Sequence, residues 1–166
     1  MDKYNQNLNK EDKKVVGVVH VLLSHDYAIF FLAVVLGVIF DVIFTVHVFN
    51  SIVYEYIGLF MIFIGSLVIY WAQRTTGSSN NEIGKERDIN FFFRGPYKYT
   101  RNPTNFGLTF AVLGFGLLIN SLFSIIFILI TYIISKLIFI KKQDNILKDR
   151  YGAVYEEYLK KVKDWL

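Results

Sequence analysis

Long apolar runs separated by short polar breaks dominate the chain. One run covers residues 27–49 and a second covers residues 56–73. Two more, residues 105–119 and 121–140, are divided only at Asn120 and Ser121. A helix rises about 1.5 Å per residue, so a run of about 20 apolar residues crosses the roughly 30 Å hydrocarbon core of a bilayer. The pattern therefore predicts an all-α polytopic membrane protein with four transmembrane helices, the last two forming a tight hairpin.

The remaining segments are polar or mixed, and we expect them to belong to one domain over residues 1–166 with the four spans. Residues 1–26 form a polar tail and an interfacial segment. Within it, residues 1–14 are expected to be loosely ordered, and residues 15–23 to form an interfacial helix or an extension of the first span. Residues 75–104 form the long polar loop. Residues 141–166 carry apolar positions at helical spacing, which predicts an amphipathic helix against this loop or the lipid headgroups.

The basic residues give this arrangement an orientation. All 18 Lys and Arg residues fall in the N-terminal tail, in residues 74–104, or from Lys136 onward. The connections near residues 50–55 and 120–121 contain none. Because cytoplasmic loops of membrane proteins are enriched in Lys and Arg, both termini and the long loop are predicted to be cytoplasmic, with the protein in the cell membrane. Basic residues that flank the spans account for the net charge of +4 without a nucleic-acid partner.

Composition and isolated polar residues limit the chemistry further. The 166 residues include no cysteine, which excludes disulfides, thiolate metal sites and a cysteine nucleophile within them. His20 and His25 have no partner at metal-ligand spacing, so no metal site is predicted. Asp41 lies inside the first predicted span, where an ionisable residue either serves function or bonds to a polar group of a neighbouring helix. Both interpretations of Asp41 stay open at this point.

The start of the third span is the most informative segment. Pro103 suits the first helical position, and Asn102 suits the helix cap before it. Free backbone N–H groups at such a helix start bind anions, and Arg101 adds a bidentate donor for a carboxylate or phosphate. A bound ligand and a lipid phosphate are both compatible with this pattern. Small residues that recur along the span allow another helix to approach closely: Gly107, Ala111 and Gly114.

Two motifs on either side of the predicted hairpin resemble a known family. Residues 95–105 resemble the GPYxYxRHPxY signature of the isoprenylcysteine carboxyl methyltransferase and phospholipid methyltransferase superfamily. Residues 143–162 resemble its EExxLxxxFGxxYxxYxxxV tail. The resemblance covers roughly residues 58–162. The chain departs from the family at Asn102, where the signature has His, at Asn105, where it has an aromatic residue, and at Gln143, where the tail has Glu.

Members of that superfamily are integral membrane enzymes that bind S-adenosylmethionine on the cytosolic side through these two motifs. The resemblance implies catalytic roles for Arg101, Asn102 and Asp144. It implies that the cofactor is bound by Gly95, Pro96, Tyr97, Tyr99, Arg101, Asn102, Pro103, Gln143 and Asp144. Residues 114–116 lie where some relatives have a glycine motif near the cofactor, although packing of the helix also explains Gly114.

The sequence supports two functions. The first is an integral membrane S-adenosylmethionine-dependent methyltransferase with a lipid-borne or hydrophobic acceptor, surrounded by membrane lipids. The alternative is a non-catalytic membrane protein of the same fold that binds lipid or a partner through its basic cytoplasmic face. The departures at Asn102, Asn105 and Gln143 keep this alternative open. A transporter is less well supported, because four spans with one intramembrane acid offer no evident pathway. The acceptor and the oligomeric state cannot be predicted.

Overall fold

The computed structural model describes residues 2–44, 51–80 and 93–162, and their side chains except those of residues 2–20, 22, 23, 77–80 and 150. All regular structure in these ranges is helical. The helices are α1 (Asp2–Phe44), α2 (Ile52–Asn80), α3 (Pro103–Leu118), α4 (Leu122–Ser135), α5 (Lys141–Tyr151) and α6 (Ala153–Lys161). A 3₁₀ turn, Gly95–Lys98, precedes α3, and a π-helical turn, Lys136–Ile140, joins α4 to α5. The all-α prediction is confirmed.

Three helical segments are long and apolar enough to cross a membrane. They are Ser24–Phe44, Ile52–Thr76 and Leu122–Asp149. Helix α3 is apolar but has only 16 residues, which is about 24 Å and less than the hydrocarbon thickness. Large apolar side chains point outward from the other helices, and Phe31, Val42 and Phe60 are 72%, 74% and 63% exposed. Such surfaces suit a lipid environment and support an integral membrane protein, while a fourth crossing by α3 stays a prediction.

Helices α2 and α3 pack through glycines that leave their backbones in contact. A Cβ atom added to Gly58 would lie 2.5 Å from the carbonyl oxygen of Gly114. One added to Gly65 would lie 2.5 Å from that of Gly107. Since the earlier glycine of α2 faces the later glycine of α3, the two helices are antiparallel. The predicted small-residue ridge on α3 is confirmed as the surface against which α2 packs.

Helices α1 and α4 pack through small and polar residues. Gly37 lies directly against Ser124, whose hydroxyl donates to the carbonyl of Val34 at 3.3 Å. One helix turn further, Asp41 accepts hydrogen bonds from the Ser121 hydroxyl and, at 3.4 Å, from the backbone N–H of Phe123. Asp41 therefore satisfies donors at the start of α4, as the structural interpretation of this residue predicted.

The connection between α3 and α4 is a tight hairpin, as predicted. Asn120 adopts φ +54°, the left-handed conformation that Asn tolerates after a helix. Ser121 caps α4, because its side chain accepts from the Ser124 N–H at 3.1 Å. The Ser121 N–H donates back to the Gly116 carbonyl at 2.9 Å. Because the hairpin reverses the chain, the start of α3 and the end of α4 lie at the same end of the helix bundle.

Some predicted boundaries differ from those of the helices. Residues 2–14 are helical, so the expectation of a loosely ordered tail was wrong. Residues 15–23 continue into the helix of the first span, which is one of their two predicted alternatives, because no proline interrupts α1 before Phe44. Residues 45–49 of that predicted span lie outside the described residues. The helix that contains the fourth predicted span continues past Ile140 to Tyr151, since no proline or glycine lies between these residues. The break comes at Gly152, whose φ of +56° is one that L side chains rarely adopt.

We predict that the start of α2 and its end lie on opposite sides of the membrane, with the end cytoplasmic. The chain has no cysteine, so a single introduced thiol gives an unambiguous signal. Ser51→Cys should react with an impermeant maleimide on intact cells, and Ser78→Cys should react only after the membrane is opened. The converse pattern, or labelling of both from one side, would contradict the predicted orientation.

Candidate functional site

The turn before α3 is fixed by a glycine and a proline. Gly95 has φ +56° and lies so close to Thr75 of α2 that any Cβ atom there would clash with the threonine side chain. Pro96 follows at the start of the 3₁₀ turn and is buried. Its carbonyl accepts from the N–H groups of Tyr99 and Thr100 at 3.0 and 3.1 Å. The turn is therefore held against the end of α2, with its backbone conformation set by sequence.

Tyr97 anchors the inner side of this turn. Burial raises the pKa of its phenol, although hydrogen bonds with Thr104 and Thr76 act in the opposite direction. The backbone carbonyl of Tyr97 accepts a hydrogen bond from the Tyr158 hydroxyl at 2.7 Å. Tyr97 thus connects three parts of the site: the end of α2, the start of α3 and the C-terminal helix α6.

The two motifs meet at an ion pair. Nη1 of Arg101 lies 2.8 Å from Oδ2 of Asp144, and the two side chains are 18% and 19% exposed. The Tyr155 hydroxyl donates to the other carboxylate oxygen of Asp144 at 2.6 Å. Burial, and then the hydrogen bond to Asp144, raise the pKa of Tyr155, so this phenol stays protonated as a donor. Asp144 is thereby held from both sides and fixes one end of the Arg101 guanidinium.

The C-terminal tail packs on the turn. Tyr155, Tyr158 and Val162 are buried together, and the ring of Tyr158 contacts that of Phe93 edge-on at 5.5 Å between centroids. The apolar face predicted for residues 141–166 therefore packs on residues at the end of the loop, which is one of its two predicted locations. Trp165 and Leu166, which were assigned to the same face, lie outside the described residues.

A cavity of about 50 Å³ opens beside Arg101, which is room for a few water-sized groups. It lies between the turn, α1, the start of α3, the π-helical turn and the start of α5. Its walls are formed by Asp26, Tyr97, Arg101, Asn102, Pro103, Thr104, Asn105, Phe139, Ile140 and Gln143.

Five residues of the predicted site line this cavity, and four do not. Tyr97, Arg101, Asn102, Pro103 and Gln143 are in its wall. Asp144 reaches it only through Arg101.

The other three residues outside the wall belong to the turn. Gly95 and Pro96 support its backbone. Tyr99 faces outward at 59% exposure, and Nζ of Lys98 lies 6.0 Å from the centroid of its ring.

Asn102 occupies the predicted cap position without acting as a cap. Its side chain makes no hydrogen bond to the first turn of α3. The amide nitrogen Nδ2 is buried and has no partner within the described part of the chain, and the same is true of Nε of Arg101. The capping prediction was therefore right about position and wrong about the hydrogen bond. Two buried donors are left beside the cavity.

Sequence reasoning missed Asp26 and misjudged Asn105. Asn105 is 5% exposed, and its amide donates to Oδ2 of Asp26 and, at 2.9 Å, to the Ser135 hydroxyl. Asp26 is 3% exposed, and Ser135 also lies beside its carboxyl group. Asn105, which stands where the resembled signature has an aromatic residue, thus bonds to a buried acidic side chain of α1. The available signal was an acidic residue directly before the first long apolar run, in the segment that was assigned only to the tail and the membrane interface.

Residues 114–116 do not line this cavity. Gly114 contacts Gly58 of α2, and a Cβ atom on Gly116 would lie 2.9 Å from Cγ1 of Ile125. Both glycines belong to the hairpin end of α3, more than two helical turns from Pro103. Helix packing therefore accounts for this GxG sequence.

The sequence matches a known family. The family model described as phospholipid methyltransferase matches residues 53–154, more than half of the chain. The chain is a member of the phospholipid methyltransferase family. The match spans α2 to α5 and both motif residues of the ion pair, Arg101 and Asp144. Among curated proteins and among solved structures, no match is found. Asp26 and the buried Tyr158 lie outside the region that the phospholipid methyltransferase model matches.

Proposed function

We propose that this protein is an integral membrane methyltransferase that uses S-adenosylmethionine and acts on a lipid-borne or hydrophobic acceptor. The observation that carries the proposal is the convergence of the two motifs. Arg101 from the turn and Asp144 from α5 are 43 positions apart, and they meet at the wall of a cavity. The family match supports methyl transfer as the reaction class.

The polar groups at the cavity fit the charged end of this cofactor. S-Adenosylmethionine carries an amino-acid end with one carboxylate and one ammonium group. Nε of Arg101 and Nδ2 of Asn102 are buried donors without partners in the described structure, and they suit a carboxylate. The cavity holds only a small group, so the rest of the cofactor would extend beyond it. The residues present are therefore compatible with the cofactor.

The protein's own residues would orient and shield the reactants. When bound, S-adenosylmethionine supplies a methyl group activated by its sulfonium. Arg101 and Asn102 would hold the cofactor's anionic end, and Asp144 with Tyr155 would keep Arg101 in position. Asn102 replaces the family's His and has no proton to exchange near neutral pH, so it binds and does not act as a base. In-line methyl transfer gains mainly from orientation and exclusion of water.

A calorimetric titration tests this proposal directly. Purified protein in detergent should bind S-adenosylmethionine saturably. In lipid nanodiscs it should transfer a labelled methyl group from the cofactor to an acceptor extracted with the lipids. Binding without transfer to any lipid or hydrophobic fraction would favour the non-catalytic alternative. Absence of binding to folded protein would reject the enzyme.

A further inference from the structure

Asp26 lines the cavity and carries an unused hydrogen-bond acceptor. Asn105 occupies Oδ2 of its carboxyl group, while Oδ1 is buried without a hydrogen-bond partner among the residues that the structure describes. Burial of an unpaired polar oxygen is costly, because its hydration is lost and not replaced. The cost is recovered when a ligand brings a donor to that oxygen.

Three residues that line the same cavity each carry such an atom, and the atoms differ in character. Oδ1 of Asp26 accepts, whereas Nε of Arg101 and Nδ2 of Asn102 donate. All three residues form its wall. A simple anion would satisfy the two donors and be repelled by the Asp26 carboxylate. A simple cation would satisfy Asp26 and be repelled by Arg101. A group with one anion beside one ammonium satisfies all three.

We propose that Asp26, Arg101 and Asn102 form a receptor for a zwitterionic group, with Asp26 binding its ammonium and the other two residues binding its anion. Asp26 lies on α1, outside the region matched by the family. Asn105 and Ser135 hold the carboxyl group in place, which explains why an amide stands where relatives have an aromatic residue.

A membrane methyltransferase would meet two molecules that contain such a zwitterionic group. The selection of these two molecules is the only part of the inference that rests on the proposed function. One is the amino-acid end of the cofactor. The other is the headgroup of an aminophospholipid, which combines a phosphate with an ammonium.

Asp26→Asn is the test variant, because the amide is nearly isosteric. If the amide oxygen of the variant side chain keeps the contact with Asn105, the amide NH₂ group takes the position of Oδ1 of Asp26. A donor then replaces an acceptor. Asp41→Asn is the matched control, since it changes the other carboxylate of the candidate span Ser24–Phe44, which accepts hydrogen bonds at the hairpin end of α4. Both variants are compared with the parent protein by titration in detergent.

Four probes distinguish the sources. S-Adenosylhomocysteine carries the amino-acid zwitterion, and methylthioadenosine has the same nucleoside without it. Short-chain phosphatidylethanolamine carries the headgroup zwitterion, and phosphatidylglycerol has only the anion.

We expect Asp26→Asn to weaken binding of one zwitterionic probe roughly 10- to 100-fold. The affinity for the matched probe that lacks the zwitterion should stay unchanged. Weaker binding of S-adenosylhomocysteine assigns the site to the cofactor, and weaker binding of phosphatidylethanolamine assigns it to the lipid. Equal affinities of the parent and Asp26→Asn for both zwitterions, or no binding of either by the parent, would overturn the receptor.

If Asp26→Asn does not fold, Asn102→Ala decides the matter, because the Asn102 side chain makes no cap hydrogen bond. Because Asn102 is assigned to the anion, its loss should weaken binding of S-adenosylhomocysteine but not of methylthioadenosine if the site holds the cofactor. If the site holds the lipid, it should weaken binding of phosphatidylethanolamine and phosphatidylglycerol together. Unchanged affinity for both zwitterionic probes would overturn the proposal. The proposed function can fail separately: a parent protein that transfers no methyl group but binds phosphatidylethanolamine through Asp26 retains the receptor and loses the enzyme.

Discussion

Replacing Arg101 with alanine is expected to weaken S-adenosylmethionine binding by about 10- to 150-fold, which corresponds to roughly 1.5–3 kcal/mol. The guanidinium is held by Asp144 at 2.8 Å and keeps a buried Nε–H beside the cavity. Loss of a charge-assisted contact to the cofactor's carboxylate explains the expected size. Calorimetric titration of the cofactor into the purified variant gives the measurement.

Two further variants separate binding from stability. Asp41→Ala should leave cofactor affinity near that of the parent, because Asp41 bonds only to the start of α4 among its described contacts. Arg101→Ala also leaves the Asp144 carboxylate without its ion-pair partner. The double variant Arg101→Ala/Asp144→Asn removes that charge, so it should fold better and still bind the cofactor weakly. Equal affinities of folded Arg101→Ala and Asp41→Ala would indicate that Arg101 serves lipid headgroups.

Tyr158→Ala is expected to release helix α6 from the turn at a local cost of about 3–5 kcal/mol. The ring is 1% exposed, packs on Phe93 and Tyr155, and donates its hydroxyl proton to the Tyr97 carbonyl. Amide hydrogen exchange followed by mass spectrometry should show faster exchange throughout residues 153–161. Cofactor affinity should fall as well, since Tyr155 on the same helix holds Asp144.

Tyr158→Phe and Tyr70→Ala are the controls for this prediction. The first keeps the ring and loses one hydrogen bond, worth about 1 kcal/mol, so α6 should remain docked. The second removes a tyrosine of α2 that is 60% exposed and should leave exchange in α6 unchanged. If the Tyr158→Ala protein retained full protection of α6, the docking of the tail would have to depend on other contacts.

Features that repeat along the chain could be predicted from sequence. Apolar runs predicted the helices, Asn120 and Ser121 predicted the hairpin, and the glycines of α3 predicted the contact with α2. The spacing of two motifs around that hairpin predicted that Arg101 and Asp144 would lie close together, and they are in direct contact. Their roles toward a cofactor stay predictions.

Features that depend on one contact between distant residues could not be predicted. The partners Asp26 and Asn105 are separated by 79 positions, and neither belongs to a periodic pattern. Asn102 has the residue type of a cap, but the choice between capping and facing the cavity depends on tertiary contacts. Helix continuity across residues 136–151 was also missed, because a change from apolar to polar composition was taken for the end of a helix.

The π-helical turn between α4 and α5 sets the angular position of Asp144. A π turn contains about one residue more than an α turn, and each residue of an α-helix corresponds to about 100° of rotation. The extra residue in Lys136–Ile140 therefore rotates everything after it by roughly a quarter of a circle relative to α4. Without it, an uninterrupted α-helix of the same residues would place the Asp144 carboxylate on a different face of the helix. The ion pair with Arg101 is thus specified by the length of this segment as much as by the identity of its two residues.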